Sequence, residues 1–132
     1  MKKKKLLYRW VNLEISAWDT NCSFYFDVEM LLKDMRKVVT ESEYERQEKF
    51  FREEKLGGFS VVTRKNGGYS NVILVNDYDS TIEKQGVLMH ECIHAAVSIL
   101  DRCGLPIRAE TDEAITYLAQ SMYTRVANYV LP

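Results

Sequence analysis

The sequence predicts a single α+β domain in which a small antiparallel or mixed sheet packs against a long helix and a C-terminal helix. Alternating apolar residues flank Asn66-Gly67, a strong hairpin turn signal. Residues 80 to 103 and residues 114 to 126 repeat apolar side chains at helical spacing. A chain of 132 residues, 46% of them hydrophobic, has the size of one domain with one core, residues 1 to 132.

The first predicted element is a strand over residues 5 to 16. Four side chains of this strand should face inward, namely Tyr8, Trp10, Leu13 and Ile15. A change of phase in this pattern predicts a bulge near residues 11 and 12. Residues 17 to 23 have the composition of a turn.

Two helices are predicted next. Residues 27 to 39 carry apolar side chains at helical spacing and begin at an Asp27 cap. Thr40 and Glu43 form a capping box that begins a second helix over residues 41 to 55. Its apolar stripe is thin, so its charged face is expected to be solvated.

Residues 59 to 64 and 69 to 76 are predicted as the strands of the hairpin. The second strand leads into the long helix, so we expect it to run beside the polar face of that helix. There an extended peptide could add to the sheet edge. An equally good interpretation makes residues 72 to 75 sheet core alone.

The long helix should begin at a capping box formed by Ser80 and Glu83 and end before Gly104 and Pro106. Gly86, inside the helix, indicates room for a substrate or a neighbouring strand. One arc of the helix is purely apolar and should be buried: Met89, Cys92, Ile93, Ala96, Ile99, Leu100 and Cys103. The two last helices should pack together and carry a site between them.

Both histidines of the protein lie on this helix in the order His-Glu-x-x-His (HExxH). At about 100° per residue, His90, Glu91 and His94 share one narrow face, which should point into a cleft. Two imidazoles one turn apart can hold one Zn²⁺, and the adjacent carboxylate can take a proton from a water molecule. The motif therefore predicts a zinc hydrolase rather than a surface helix without metal.

Catalytic zinc needs a third protein ligand and one open position. Glu110, Asp112 and Glu113 lie at the start of the last helix, where acidic side chains also stabilise the helix dipole. The spacing alone leaves the third ligand open among these residues.

The motif residues together resemble the zincin metallopeptidases of the glutamate-zincin type, and more closely small phage- or prophage-encoded zincin-like proteins. The residues that carry the resemblance are His90-Glu91-Cys92-Ile93-His94-Ala95, Gly104-Leu105-Pro106 and Glu113-Ala114-Ile115-Thr116-Tyr117-Leu118. The match covers the C-terminal half well and the N-terminal half in outline. The chain lacks the further histidine and glycine of the metzincin form.

The resemblance implies a minimal zincin-like domain in which the hairpin packs on the HExxH helix. It makes His90, His94 and Glu113 the zinc ligands, with Glu110 as the alternative to Glu113. It makes Glu91 the general base in the hydrolysis of a peptide or protein substrate.

An oxyanion formed during such hydrolysis needs a hydrogen-bond donor. Tyr117, one turn after Glu113, and Tyr69 on the hairpin are candidates, although either tyrosine could serve packing alone. Asp101, on the histidine face, is placed to orient an imidazole or to be solvated.

Charge and hydropathy argue against nucleic-acid and membrane partners. The formal net charge is −1 and the pI is near 6.1, whereas nucleic-acid-binding proteins usually carry a basic surplus. Lys2 to Lys5, with Arg64 and Lys65, leave nucleic-acid binding as a minor alternative. Arg9 interrupts the first apolar run before it reaches the length of a signal peptide, and no later run approaches a membrane span.

We therefore expect a cytoplasmic, zinc-dependent peptidase of phage or prophage origin. The three cysteines lack zinc-ribbon spacing and suit a reducing compartment as free thiols. The alternative hypothesis is a non-catalytic or degenerate zincin domain in which zinc is structural and the protein binds a protein partner. Glu91 favours catalysis, because a structural zinc site usually closes with four protein ligands and has no use for it.

Overall fold

The computed structural model describes residues 10–54, 58–65, 68–79 and 81–130. In this part of the chain, two strands are followed by two helices, and the same order is then repeated. In chain order they are β1 (Trp10–Ile15), β2 (Thr20–Tyr25), α1 (Val28–Arg36), α2 (Glu41–Glu54), β3 (Gly58–Lys65), β4 (Gly68–Val75), α3 (Ile82–Arg102) and α4 (Asp112–Val130). A short 3₁₀ turn, Ser16–Trp18, joins β1 to β2. The predicted α+β class is confirmed.

The strands form one mixed sheet in the order β1-β2-β4-β3. The β1–β2 and β3–β4 pairs are antiparallel, whereas β2 and β4 run parallel. Parallel neighbours need a crossover connection, which here consists of α1, α2 and β3. As a result β3 lies at one edge of the sheet and β4 lies inside it.

Helices cover both faces of the sheet. On one face α3 and α4 pack over the larger core, which contains Leu13, Phe24 and Ile73. On the other face α1 and α2 cover a smaller cluster that includes Tyr25 and Leu74. The two faces alternate along each strand because successive side chains point to opposite sides of a sheet.

The first strand differs from its prediction in phase. Val11, Leu13 and Ile15 face the larger core, and Trp10 is 45% exposed on the opposite face. There the Trp10 ring lies 6.3 Å from the ring of Tyr25, which pairs with it across the strands. The predicted inward position of Trp10 is therefore wrong, and the unbroken register of β1 with β2 leaves no bulge between residues 10 and 15. The predicted inward residue Tyr8 lies outside the described residues.

The second strand was not predicted. Residues 17 to 19 do form a turn, in which Asp19 has a φ of 49°, but Thr20–Tyr25 is a strand. Its signal is the alternation of Cys22, Phe24 and Phe26, all of which are buried. Its polar residues Thr20, Asn21 and Ser23 suggested a turn, because such residues are common in turns.

Local capping confirms the two predicted helices that follow. The Asp27 carboxylate accepts a hydrogen bond from the Glu29 backbone N–H at 2.8 Å and begins α1, which ends three residues before the predicted position. The Thr40 hydroxyl accepts from the Glu43 backbone N–H at 3.3 Å, just before α2. Arg52 of α2 forms two hydrogen bonds to the Glu29 carboxylate, at 2.6 and 3.1 Å, and so joins the two helices.

The hairpin and the ends of α3 also agree with the sequence. Lys65 pairs with Gly68, so residues 66 and 67 connect the strands as predicted. The N-cap of α3 is Thr81, whose hydroxyl accepts from the Lys84 N–H, and the predicted cap Ser80 lies outside the described residues. At the other end Gly104 has a φ of 84°, and the Leu105 N–H donates to the Leu100 carbonyl at 2.8 Å, as in a Schellman motif.

The buried side of α3 is rotated relative to its prediction. With His90 at 0°, the buried residues span about 100° to 280°: Leu88, Glu91, Cys92, Ala95, Ala96, Ile99 and Leu100. Ile93 is 45% exposed and Cys103 is exposed, so their predicted burial is wrong. The rotation brings Glu91 into the interior and leaves both histidines at the rim.

The last helix packs on α3 as predicted. Ile115, Ala119, Met122 and Val126 of α4 are buried in the larger core. None of the described helices combines the length and the apolar character that a membrane crossing requires.

Replacing Ile99 by Ala should lower the free energy of unfolding by about 2–5 kcal/mol, because this side chain is 1% exposed in the larger core. Replacing Ile93 by Ala on the same helix should change it by less than about 1 kcal/mol. Urea denaturation of both variants beside the wild type measures the difference. Similar losses in the two variants would contradict the observed rotation of α3.

Candidate functional site

A cleft of about 560 Å³ lies between α3 and the edge strand β3. It is lined by Gly58, Phe59, Ser60, Val61 and Val62 of β3 and by Glu91, His94 and Ser98 of α3. The site was expected between the two last helices and beside the second strand of the hairpin. Both expectations are wrong, because the crossover places β4 inside the sheet and leaves β3 at the edge beside α3.

His94 lines this cleft, and the ring of His90 lies beside it, one turn earlier on α3. Their Nε2 atoms lie 3.0 Å apart, and their rings meet nearly edge to face. Two nitrogens that bind one tetrahedral zinc at roughly 2.0–2.1 Å lie about 3.3 Å apart. The pair therefore fits a single metal ion, and the exposure of both rings leaves room for one.

Glu91 lies at the buried edge of the same face and is 6% exposed. Burial raises the pKa of its carboxyl, while the neighbouring imidazoles of His90 and His94 lower it and partly oppose the shift. A carboxylate with a raised pKa is a stronger base than an exposed one. Glu91 thus presents a desolvated carboxyl group at the wall of the cleft.

Gly58 allows β3 to approach Glu91. A Cβ atom on Gly58 would lie 2.7 Å from Val87 Cγ1 and 2.9 Å from Glu91 Oε1, closer than such atoms normally come. Gly86, expected to make room for a substrate or a strand, has only open space around such an atom, so no neighbouring strand requires it. The sequence signal for this contact is Gly58 itself, the first residue of β3.

The candidate third ligands do not join the histidines. Glu113 is exposed in the first turn of α4, and Glu110 is exposed just before that helix, as is Asp112 at its start. In the described ranges, no three residues of the types His, Cys, Asp and Glu are grouped closely enough to hold a metal. The structure thus brings together two of the predicted zinc ligands and the predicted base, but not Glu113.

The other predicted site residues lie away from the cleft lining. Tyr117 is 64% exposed on α4, and Asp101 is exposed near the end of α3. Tyr69 packs its ring beneath the Arg102 guanidinium. Lys2 to Lys5 and the side chains of Arg64 and Lys65, considered for nucleic-acid binding, lie outside the described residues.

The cysteines take no part in the site. All three are free, and Cys22 and Cys92 are buried. Burial raises the pKa of the Cys92 thiol to about 12, so this thiol stays protonated at neutral pH and serves packing, as predicted.

Comparison of the chain with protein-family models, with curated proteins and with solved structures gives no match. The geometry of the cleft and the sequence of the motif are therefore the grounds on which a function can be proposed.

Gly58→Ala should lower the free energy of unfolding by about 1–3 kcal/mol, because the added methyl group forces Val87 and Glu91 to move. Gly86→Ala is the matched control and should raise it by up to about 1 kcal/mol, since an exposed helical site favours alanine. Chemical denaturation measures both. Equal changes in the free energy of unfolding would show that the backbone of β3 at Gly58 is not in close contact with Glu91.

Proposed function

We propose that the protein is a zinc-dependent peptidase that hydrolyses an amide bond of a peptide or protein substrate bound along β3. One observation carries the proposal. The buried Glu91 carboxyl, with its raised pKa, adjoins two imidazoles whose Nε2 atoms lie 3.0 Å apart, and Glu91 and His94 line one cleft.

The substrate would bind in an extended conformation. β3 pairs only with β4 among the described strands, so its outer edge presents backbone N–H and C=O groups. An extended peptide can add to such an edge by main-chain hydrogen bonds. It would then pass Gly58 and Glu91, with Ser60 and Val62, which alternate onto the α3 side of β3, lining the cleft.

His90 and His94 would hold the zinc, with Glu113 as the third ligand that the family resemblance implies and Glu110 as its alternative. Bound zinc supplies positive charge that polarises a scissile carbonyl and lowers the pKa of water toward about 7. Neither glutamate joins the two histidines in the described part of the chain, so the third ligand depends on the resemblance alone.

Glu91 would perform the proton transfers. Its carboxylate accepts a proton from the attacking water as the new C–O bond forms, and it gives that proton to the leaving nitrogen as the C–N bond breaks. Desolvation makes this carboxylate a stronger base. Because Gly58 has no side chain, the backbone of β3 lies close to it. Tyr117 remains the proposed oxyanion donor because it lies one turn after Glu113, although its exposed position on α4 gives this role no support.

A second candidate function is a non-catalytic zincin-like domain that binds a protein partner through the same cleft. The observation in its favour is that the described residues assemble two metal ligands rather than three. A structural zinc, however, usually has four protein ligands, and a purely structural site has no need of the buried Glu91 carboxyl, whose desolvation is costly. Catalysis therefore accounts for more of the site.

The proposal places the protein in the cytoplasm and its origin in a phage or prophage. The three free thiols are typical of a reducing compartment. The origin follows from the motif resemblance alone.

Glu91→Gln should lower the rate of hydrolysis by at least about 100-fold, because the amide cannot accept the proton, and should leave folding and zinc content unchanged. The assay is cleavage of a quenched-fluorescence peptide library by zinc-loaded protein. Glu83→Gln, the same substitution at an exposed position of α3, is the control and should retain full activity. Full activity in Glu91→Gln would refute the peptidase proposal.

Elemental analysis should find one zinc per chain in the wild type, a loss in His94→Ala and Glu113→Ala, and retention in Glu110→Ala. The two imidazoles supply most of the site, so removing either weakens it strongly. If zinc is lost in Glu110→Ala but kept in Glu113→Ala, Glu110 rather than Glu113 is the third ligand. A wild type without zinc, even after reconstitution, would contradict the metal site and favour the partner-binding alternative.

A further inference from the structure

We infer that Arg102, held by Ser98 and Asn71, is a binding site for a carboxylate of the substrate at the end of the cleft remote from Glu91. The inference rests on the proposed peptide-binding function of the cleft and names a chemical feature of its substrate. It follows from the contacts of the Arg102 guanidinium, from its charge and from its position on α3.

Three neutral groups fix the guanidinium. Arg102 Nη1 donates to the Ser98 hydroxyl at 2.8 Å, and Nη2 donates to Asn71 Oδ1 at 2.7 Å. The Tyr69 ring lies beneath the guanidinium, 5.3 Å from Cζ to the ring centroid. These contacts hold a planar fork of N–H donors in one orientation, which favours bidentate recognition of a carboxylate.

The charge of Arg102 has no counter-ion in the described part of the chain. Arg36 and Arg52, by contrast, form ion pairs with Glu41 and Glu29. The Arg102 side chain is half-buried at the side of α3 that carries the cleft. The guanidinium therefore brings a positive charge to this end of the cleft.

Asn71 offers Arg102 a neutral acceptor rather than a carboxylate. Its side chain is fully buried, its Oδ1 accepts from Arg102, and its Nδ2 has no hydrogen-bond partner in the described structure. A buried donor without a partner is destabilising. An aspartate of the same shape would neutralise Arg102 and leave no donor unpaired, so the asparagine retains the positive charge at the expense of stability.

The position of Arg102 connects it to the cleft. Ser98, which accepts its hydrogen bond, lines the cleft together with Glu91. Glu91, Ser98 and Arg102 lie within about 40° of one another around α3, and Ser98 lies about 10 Å along the axis from Glu91. An extended peptide spans that distance with about three residues. The carboxylate should thus lie about three residues from the amide bond at Glu91.

Two sources of this carboxylate follow from the direction of β3. Gly58 lies beside Glu91, and Val62, further along β3, pairs with Asn71. β3 therefore runs from the Glu91 end of the cleft to the Arg102 end. A peptide antiparallel to β3 would bring an acidic side chain on the N-terminal side of the bond to Arg102. A parallel peptide would bring a residue on the C-terminal side, or the chain terminus, with its free carboxylate.

The test is NMR titration of the full-length wild type with two matched pairs of probes. N-acetyl-glutamate α-amide and its glutamine isostere represent an acidic side chain, and N-acetyl-glycine and its amide represent a chain terminus. We expect saturable shifts of the Arg102 Nε–Hε and Ser98 amide signals with at least one carboxylate, and at least tenfold weaker binding of its neutral isostere. Equal shifts within both pairs, or none, would overturn the inference.

Two variants separate the subsite from a structural role. Arg102→Gln should abolish the preference for the carboxylate, whereas Arg125→Gln, an equal change of charge at an exposed position of α4, should leave it intact. Asn71→Asp should preserve the fold and weaken carboxylate binding at least tenfold, because the new carboxylate pairs with Arg102. Unchanged binding in a folded Asn71→Asp protein would contradict the proposal.

These measurements need neither zinc nor hydrolysis. Loss of the carboxylate preference in a protein that cleaves peptides would overturn the subsite alone. Carboxylate binding at Arg102 in a protein that cleaves nothing would retain the subsite and refute the peptidase.

Discussion

The contact between Gly58 and Glu91 determines the shape of the site. Because Gly58 has no side chain, the backbone of β3 can approach α3 closely enough to bury the Glu91 carboxyl. The same approach forms one wall of the cleft and leaves the outer edge of β3 beside the two histidines. A larger residue at position 58 would separate the strand from the helix and return Glu91 to solvent, where its pKa would be ordinary.

Local signals predicted most of the fold, and tertiary packing accounts for the errors. The Asp27 cap, the hairpin and the Gly104 terminator each depend on neighbours within a few residues, and each was found at or near its predicted position. β2 was missed because Thr20, Asn21 and Ser23, the polar residues of its first half, are equally compatible with a turn. Ile93 was misplaced because the rotation of a helix depends on what packs against it.

For the candidate site, too, local features could be predicted from the sequence, whereas features that depend on tertiary packing could not. The period of an α-helix places His90 and His94 together, so their predicted proximity needed no knowledge of the rest of the chain. The strand that faces them follows from the order β1-β2-β4-β3, which the sequence does not specify. The distance of Glu113 from the histidines likewise depends on how α4 docks, and the motif resemblance carries no such geometry.

Two buried polar side chains, Asn71 and Glu91, lie along one side of α3. Among the described residues, the buried polar or charged side chains are Ser70, Asn71 and Glu91. Glu91 is desolvated at one end of the cleft, and Asn71 keeps an unpaired donor at the other end while it holds Arg102. A core selected for stability alone would replace both side chains with apolar ones. Such departures are expected at functional sites, so their placement at the two ends of one cleft supports a single extended site that recognises charge as well as backbone.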